Sequence, residues 1–172
     1  DASPNGIRLI SNNFAYPNAA NVWAHYPLGD ISLAEASRNR KGVGASLTAT
    51  GAINNADSFL KGRFSASNFT GTGIHYSLSD AASVDIQGDD ELVQVSIWIY
   101  ASGFTGTNRT IVGKRNTAFT TGWTLSLDSS ANTVLLETRN GTRASGAFTP
   151  NAWTHIVAQF NDSGTQRLYI ND

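Results

Sequence analysis

The feature that most constrains this chain is an alternation of apolar and polar side chains with a period of two residues. In Leu92–Tyr100, Val93, Val95, Ile97 and Ile99 fall on one side, and Gln94, Ser96, Trp98 and Tyr100 on the other. Successive side chains point to opposite faces in an extended strand, so this pattern predicts β structure. Further strands read as Val22–Leu28, Gly44–Thr50, Ile74–Leu78, Thr110–Lys114, Trp123–Leu127, Thr133–Arg139, Thr142–Phe148, Thr154–Phe160 and Arg167–Ile170. Helical spacing is nearly absent. Its best candidates, Ile31–Arg38 and Ser79–Asp85, are each about two turns long and need tertiary support to persist. Two aromatics on the second face of Leu92–Tyr100 predict a strand covered on both sides and central to a sheet. Trp23, Trp98, Trp123 and Trp153 are accordingly expected in the core.

Turn signals separate these strands at short intervals. Asn140-Gly141 is the clearest, because Asn-Gly supplies positive φ at both central positions of a type I′ hairpin turn. Asp128-Ser129-Ser130 and Asn161-Asp162-Ser163-Gly164 read as two more hairpin turns. Consecutive hairpins with short strands predict an all-β fold, an antiparallel β-sandwich or jelly roll.

Composition narrows the setting. The chain has 172 residues, with 40% hydrophobic and 10% aromatic content, enough for one domain with a proper core. Twelve basic residues against 13 acidic give a net charge of −1. That excludes the basic footprint of a nucleic-acid binder and an electrostatic membrane anchor. No apolar run approaches the roughly 18 residues needed to span a bilayer. Without cysteine there is no disulfide, zinc–thiolate site or thiol nucleophile. The polar surface rests on 18 Ser, 17 Thr and 16 Asn, with three Lys; this balance suits a loop-rich β protein working outside a cell.

Residues 1–18, with Pro4, Gly6, Asn12, Asn13 and Pro17, read as an arm or linker, and residues 19–172 as the domain. Arg167–Ile170 runs into the terminus as a strand, which leaves an edge unpaired. The expectation is a domain lacking its last one or two strands, or an edge that a partner covers.

Three segments resemble the laminin-G-like branch of the concanavalin A-like lectin/glucanase superfamily of jelly rolls. Ala24-His25-Tyr26-Pro27-Leu28-Gly29-Asp30 with Ala36-Ser37-Arg38-Asn39 is similar to the family's opening stretch. Val95-Ser96-Ile97-Trp98-Ile99-Tyr100 with Thr110-Ile111-Val112-Gly113-Lys114 is similar to a paired-strand motif. Gly122-Trp123-Thr124-Leu125, Trp153-Thr154-His155-Ile156-Val157 and Leu168-Tyr169-Ile170-Asn171 resemble its closing run, with Asp172 where the family commonly has Gly. The resemblance covers about residues 20–172. It implies two packed antiparallel sheets and functions from glycan binding and adhesion to glycoside hydrolysis and polysaccharide lysis; such domains also occur in phage tail and capsid-surface proteins.

Candidate chemistry follows from residue types. Retaining glycosidases need two carboxylates about 5–5.5 Å apart; the catalytic branch carries a Glu-x-Asp-x-x-Glu strand, and Glu35, Glu91 and Glu137 do not form one. No catalytic residue is therefore assigned, and the chain is expected not to be an enzyme. Asp85, Asp89, Asp90 and Glu91 offer oxygen ligands for calcium, yet lack the closing spacing of a calcium loop; a solvated turn is the favoured reading, with no cofactor required. His25, His75 and His155 show no metal-binding spacing. His155 is expected to satisfy a backbone group between the sheets while Trp153 fills the core rim.

Aromatic rings in polar loops suit sugars. Phe104 and Phe119, with Asn108, Arg109, Arg115 and Asn116, form the expected glycan-binding set. The leading expectation is a non-catalytic recognition or attachment module, glycan-binding, within a larger extracellular or virion protein. The alternative is a structural or decoration module of a phage virion or surface array, joined to protein neighbours. A glycoside hydrolase or polysaccharide lyase ranks third.

Overall fold

The structure is a computed structural model that describes residues 46–51, 54–57, 65–68, 75–78, 92–102, 109–116, 118, 120–128, 130–139, 143–161 and 164–171. The chain divides into two compact units, Asp1–Asp80 and Ala81–Asp172. Among the described residues there are eleven strands and no helix. The expected arm, the strand at Val22–Leu28 and both helical candidates lie outside the described residues.

In the first unit, β1 (Thr48–Thr50) pairs antiparallel with β4 (His75–Ser77), placing Ala49 opposite Tyr76. β2 (Asn54–Asp57) pairs with β3 (Ser65–Asn68). The sequence pattern assigned no strand to either of this second pair.

The second unit is an antiparallel sandwich. β6 (Arg109–Arg115), β7 (Gly122–Asp128), β8 (Thr133–Thr138) and β9 (Arg143–Ala147) form one sheet in that order. β5 (Val93–Tyr100), β10 (Trp153–Phe160) and β11 (Gln166–Ile170) form the other, with β10 in the middle. Their inner faces meet in one core. Leu125, Leu127, Val134 and Leu136 come from the first sheet, Ile156, Ala158 and Phe160 from the second, and Phe148 closes one side. Val93, Val95, Ile97, Ile99, Leu168 and Ile170 pack around them. Trp123 lies in this core as expected, its ring 4.7 Å from that of Phe160. Fully burying a large apolar side chain contributes about 1.5–3 kcal/mol, so these inward positions fix the register of every strand.

The structure corrects the expectation for β5. Among the described residues it is an edge strand rather than the central one. Its second face is not in the core: Trp98 and Tyr100 are 38% and 49% exposed. Gln94 and Ser96 accompany them on that face, and such a mixed face is what solvent tolerates. Trp153, opposite Tyr100, points the same way and is half-buried.

All three expected hairpins form. β7 and β8 close at Asp128↔Thr133, β10 and β11 at Phe160↔Gln166, and β8 and β9 at Glu137↔Arg143. The last register is informative. It leaves five residues, 138–142, between paired positions, whereas a two-residue type I′ loop on Asn140-Gly141 leaves an even number. The odd count of the strand register differs from that expectation.

One glycine is required by its backbone, and a second sits at a close approach of two strands. Gly122 has φ +89, and a Cβ there would sit 1.8 Å from the Lys114 carbonyl oxygen. Gly146 lets β9 pass close to β11; its Cβ would meet Ile170 Cδ1 at 2.7 Å. Replacing Phe160 by Ala is expected to lower stability by about 3–5 kcal/mol, the usual range for emptying a buried aromatic site. Gly122→Ala is expected to destabilise the protein too, through strained backbone and the carbonyl contact together. Urea unfolding midpoints check both.

Candidate functional site

The exposed aromatics assemble on one surface. Strand parity turns Val93, Val95, Ile97 and Ile99 of β5, and Thr154, Ile156, Ala158 and Phe160 of β10, toward the core. The alternate residues therefore project outward, and the register sets them in four rows. Gln94, Gln159 and Arg167 make the first row; Ser96, Val157 and Tyr169 the second; Trp98, His155 and Asn171 the third; Tyr100 and Trp153 the fourth. Rows two residues apart lie about 7 Å from one another along the strands, so the four span roughly 20 Å.

Local interactions hold this face in one arrangement. The rings of Trp98 and His155 stack with centroids 4.9 Å apart and planes within 20°. His155 Nε2 lies 3.0 Å from Ser96 Oγ. Tyr100 and Trp153 meet at 5.7 Å in a tilted pair, the geometry aromatic quadrupoles favour. At the far end Gln159 Nε2 donates to Gln94 Oε1 at 2.8 Å. Tyr169 is 40% exposed. The three exposed rings are thus interleaved with amides, a hydroxyl and the Arg167 guanidinium.

His155 occupies the middle of the face. Its ring lies on the outer side, against Ser96 and Trp98, rather than between the sheets where its motif suggested. Its backbone is held from β11. Asn171 Oδ1 accepts from the His155 N–H at 2.9 Å, and the Asn171 N–H donates to the His155 carbonyl at 2.9 Å. Asn171 has φ 58, a conformation Asn tolerates better than most residues. Partial burial lowers the His155 pKa below its ordinary value near 6.5, because desolvation disfavours the imidazolium.

The loop residues are distributed differently. Arg109 and Arg115 stand at opposite ends of β6, about 20 Å apart at about 3.3 Å per residue. Two such ends do not meet one small sugar. Asn116 organises its own loop: Oδ1 accepts from the N–H groups of Thr120 and Thr121, and Nδ2 donates to Thr120 Oγ1. Phe104, Asn108 and Phe119 lie outside the described residues, as do Asp85, Asp89, Asp90 and Glu91. Among the described residues no group of three or more His, Cys, Asp or Glu is placed to hold a metal ion.

Carboxylates are sparse here. Asp128 ends β7 and accepts from the backbone and hydroxyl of Ser130 at 2.9 and 2.6 Å. Glu137 pairs with Thr124, four positions along β7 from Asp128, which separates the two acids by about 13 Å. Glycosidase pairs stand about 5–9.5 Å apart.

The aromatic face carried a signal that sequence reasoning passed over. Trp98 and Tyr100 share parity with Gln94 and Ser96, and Trp153 and His155 share it with Gln159. Those polar companions mark the side that meets water.

Two antiparallel sheets around one core, with an interactive outer face, define a β-sandwich of jelly-roll type. The chain belongs to the concanavalin A-like lectin/glucanases superfamily, whose family model matches residues 70–171. The match includes the paired-strand and closing motifs and begins after Ala24–Asn39. Membership supports a carbohydrate- or protein-binding module in general; the superfamily holds both non-catalytic lectins and glycosidases. Neither the curated proteins nor the solved structures contain a match. No helix among the described residues is long and apolar enough to cross a membrane.

Folding keeps His155 neutral where the unfolded chain would bind a proton. Its contribution to stability is therefore complete above about pH 6.5 and is lost as pH falls through the lower folded value. His155→Gln is expected to flatten this part of the stability–pH curve between pH 7 and 5, measured by urea unfolding.

Proposed function

We propose that the protein is a non-catalytic recognition module that binds a glycan on the outer face of the β5–β10–β11 sheet. The observation that carries this reading is the exposed set Trp98, Tyr100 and Tyr169, interleaved with Gln94, Ser96, Gln159 and Arg167. A pyranose presents an apolar C–H face and a rim of hydroxyls. Aromatic rings suit the first, and amides, hydroxyls and a guanidinium suit the second. Rings anchored on strands lose little entropy on binding, which favours affinity.

The Ser/Thr/Asn-rich composition supports an extracellular, cell-surface or virion setting. Within this proposal residues 1–18 act as the linking arm and residues 19–172 as the recognition domain. On this proposal Asp85, Asp89, Asp90 and Glu91 hold no ion, so melting temperature is expected to be equal in EDTA and in millimolar calcium. A rise of several degrees with calcium would assign those acids to an ion instead.

A glycan microarray followed by titration calorimetry tests the main reading. Trp98→Ala and Tyr169→Ala are each expected to weaken binding about tenfold, since an aromatic contact contributes about 0.5–1.5 kcal/mol beyond its area. Phe104→Ala and Phe119→Ala are expected to leave affinity within about twofold. The reverse pattern would move the site to the loops. An array without hits, together with stable self-assembly at micromolar concentration, would replace this reading with the structural module joined by protein contacts. Release of reducing sugar from a polysaccharide panel would overturn the non-catalytic assignment.

A further inference from the structure

Resting on the reading of the outer β5–β10–β11 face as a glycan site, we propose that this face binds a run of about four sugar units of one linear chain, laid along β10.

The direction follows from which strands stand out. The flanking strands β5 and β11 carry exposed outward side chains at Gln94, Trp98, Tyr100, Arg167 and Tyr169. On β10 between them, His155, Val157 and Gln159 are half-buried. The face is therefore raised along both sides and lower in the middle. Neighbouring strands lie about 4.8 Å apart, so β5 and β11 stand roughly 9–10 Å from each other. That width takes one sugar chain along β10 and leaves no room for a second beside it. A chain laid across the strands would instead ride over Trp98 and Tyr169 as ridges and meet little of the face beyond them.

The length follows from the rows. Row one offers the hydrogen-bonding groups of Gln94, Gln159 and Arg167. In row two the Tyr169 ring stands beside two short side chains, Val157 and half-buried Ser96, which leaves space above them. Row three holds the stacked Trp98–His155 pair and row four the tilted Tyr100–Trp153 pair. The four rows span roughly 20 Å, so an extended chain needs about four hexopyranose units to reach from Arg167 to Tyr100. A monosaccharide meets one row at a time. It gains one ring or one polar cluster and still loses its translational and rotational freedom, a cost that a longer chain meets once for all the rows it covers. The strands set the spacing between rows, and local contacts hold three of the four: the two ring pairs, and the Gln159–Gln94 hydrogen bond in row one. With rings toward one end and polar groups at the other, the face also distinguishes the two ends of the bound run.

The test is a ladder of linear oligosaccharides of glucose, mannose and N-acetylglucosamine, one to eight units long, titrated calorimetrically. For the sugar that binds, affinity is expected to climb with each unit and level off at about four. The tetramer is expected to bind at least about tenfold more tightly than the dimer, because each added row supplies contacts worth severalfold. Arg167→Ala separates the rows, and because Arg167 is exposed the fold is expected to tolerate the change. Only a chain long enough to reach row one should feel it: tetramer and hexamer are expected to weaken about threefold or more, and the dimer not at all. A plateau at one or two units, with Trp98 still required, would overturn the four-row chain and leave the glycan site standing. An equal loss for dimer and hexamer in Arg167→Ala would likewise overturn the alignment along β10. No binding of any ladder member would overturn this proposal, and a blank on the wider array would remove the glycan site as well.

Discussion

Everything on the outer surface of the sandwich depends on the burial of Leu125, Val134, Leu136, Ile156 and Phe160 between the sheets. A strand has a side-chain period of two, so a slip of one residue would turn its whole inner set to solvent. Burial of these side chains therefore locks the eight pairs from Trp153↔Tyr100 to Phe160↔Val93. Once they are locked, the opposite parity is determined as well. Trp98 must lie beside His155, and Tyr100 beside Trp153, wherever the ligand comes from. The outer face is the complement of the core, and a substitution that loosens Phe160 would be felt on both sides of the sheet.

How much of this was legible depended on whether the signal was local. Alternation marked β5 to β11 because each has one face in a core, and the inward face must be apolar. It missed β2 and β3, whose sequences Asn-Asn-Ala-Asp and Ser-Ala-Ser-Asn present no apolar face to detect. It also separated the two faces of β5 without saying which was covered, since an aromatic ring suits a core and a binding surface equally well. The exposure of Trp98 is decided by β10 pairing, a contact far away in sequence. Within the loop set, Arg109 and Arg115 stand apart for a related reason. Arg109 and Arg115 are close in sequence, but an extended strand converts six residue steps into about 20 Å. The turn at Asn140-Gly141 illustrates a finer limit: Asn-Gly announces a hairpin, whereas the pairing register decides how many residues it spends in the loop.

Two motifs that read as separate along the chain turn out to be one unit. Trp153-Thr154-His155 supplies the aromatic row of β10, and Leu168-Tyr169-Ile170-Asn171 supplies β11. They join where Asn171 returns two hydrogen bonds to the backbone of His155, extending the ladder by one step beyond Ile156↔Ile170. Asn suits this place for two reasons at once. It accepts the left-handed backbone conformation that ends the strand, and its side-chain oxygen can serve as a backbone acceptor would. Aspartate would keep the acceptor but place a carboxylate two rows from Arg167 and close to the imidazole. Glycine would keep the backbone and lose the acceptor.

That junction bears on function because it fixes what the face can present. A side chain on a mid-sheet strand, pinned through its own backbone and stacked on a neighbour, is held more narrowly than one on a loop. On the proposed reading, selectivity would come from which rings and amides such a preformed surface offers rather than from closure around a ligand. The charge balance points the same way. A face bearing one permanent charge among its described residues has little long-range field with which to draw in an ionic polymer. On the proposed reading, affinity would come from contact, from ring faces and directional hydrogen bonds made at short range. The group at the centre of the face is an imidazole that partial burial holds below its ordinary titration range, because desolvation disfavours the imidazolium.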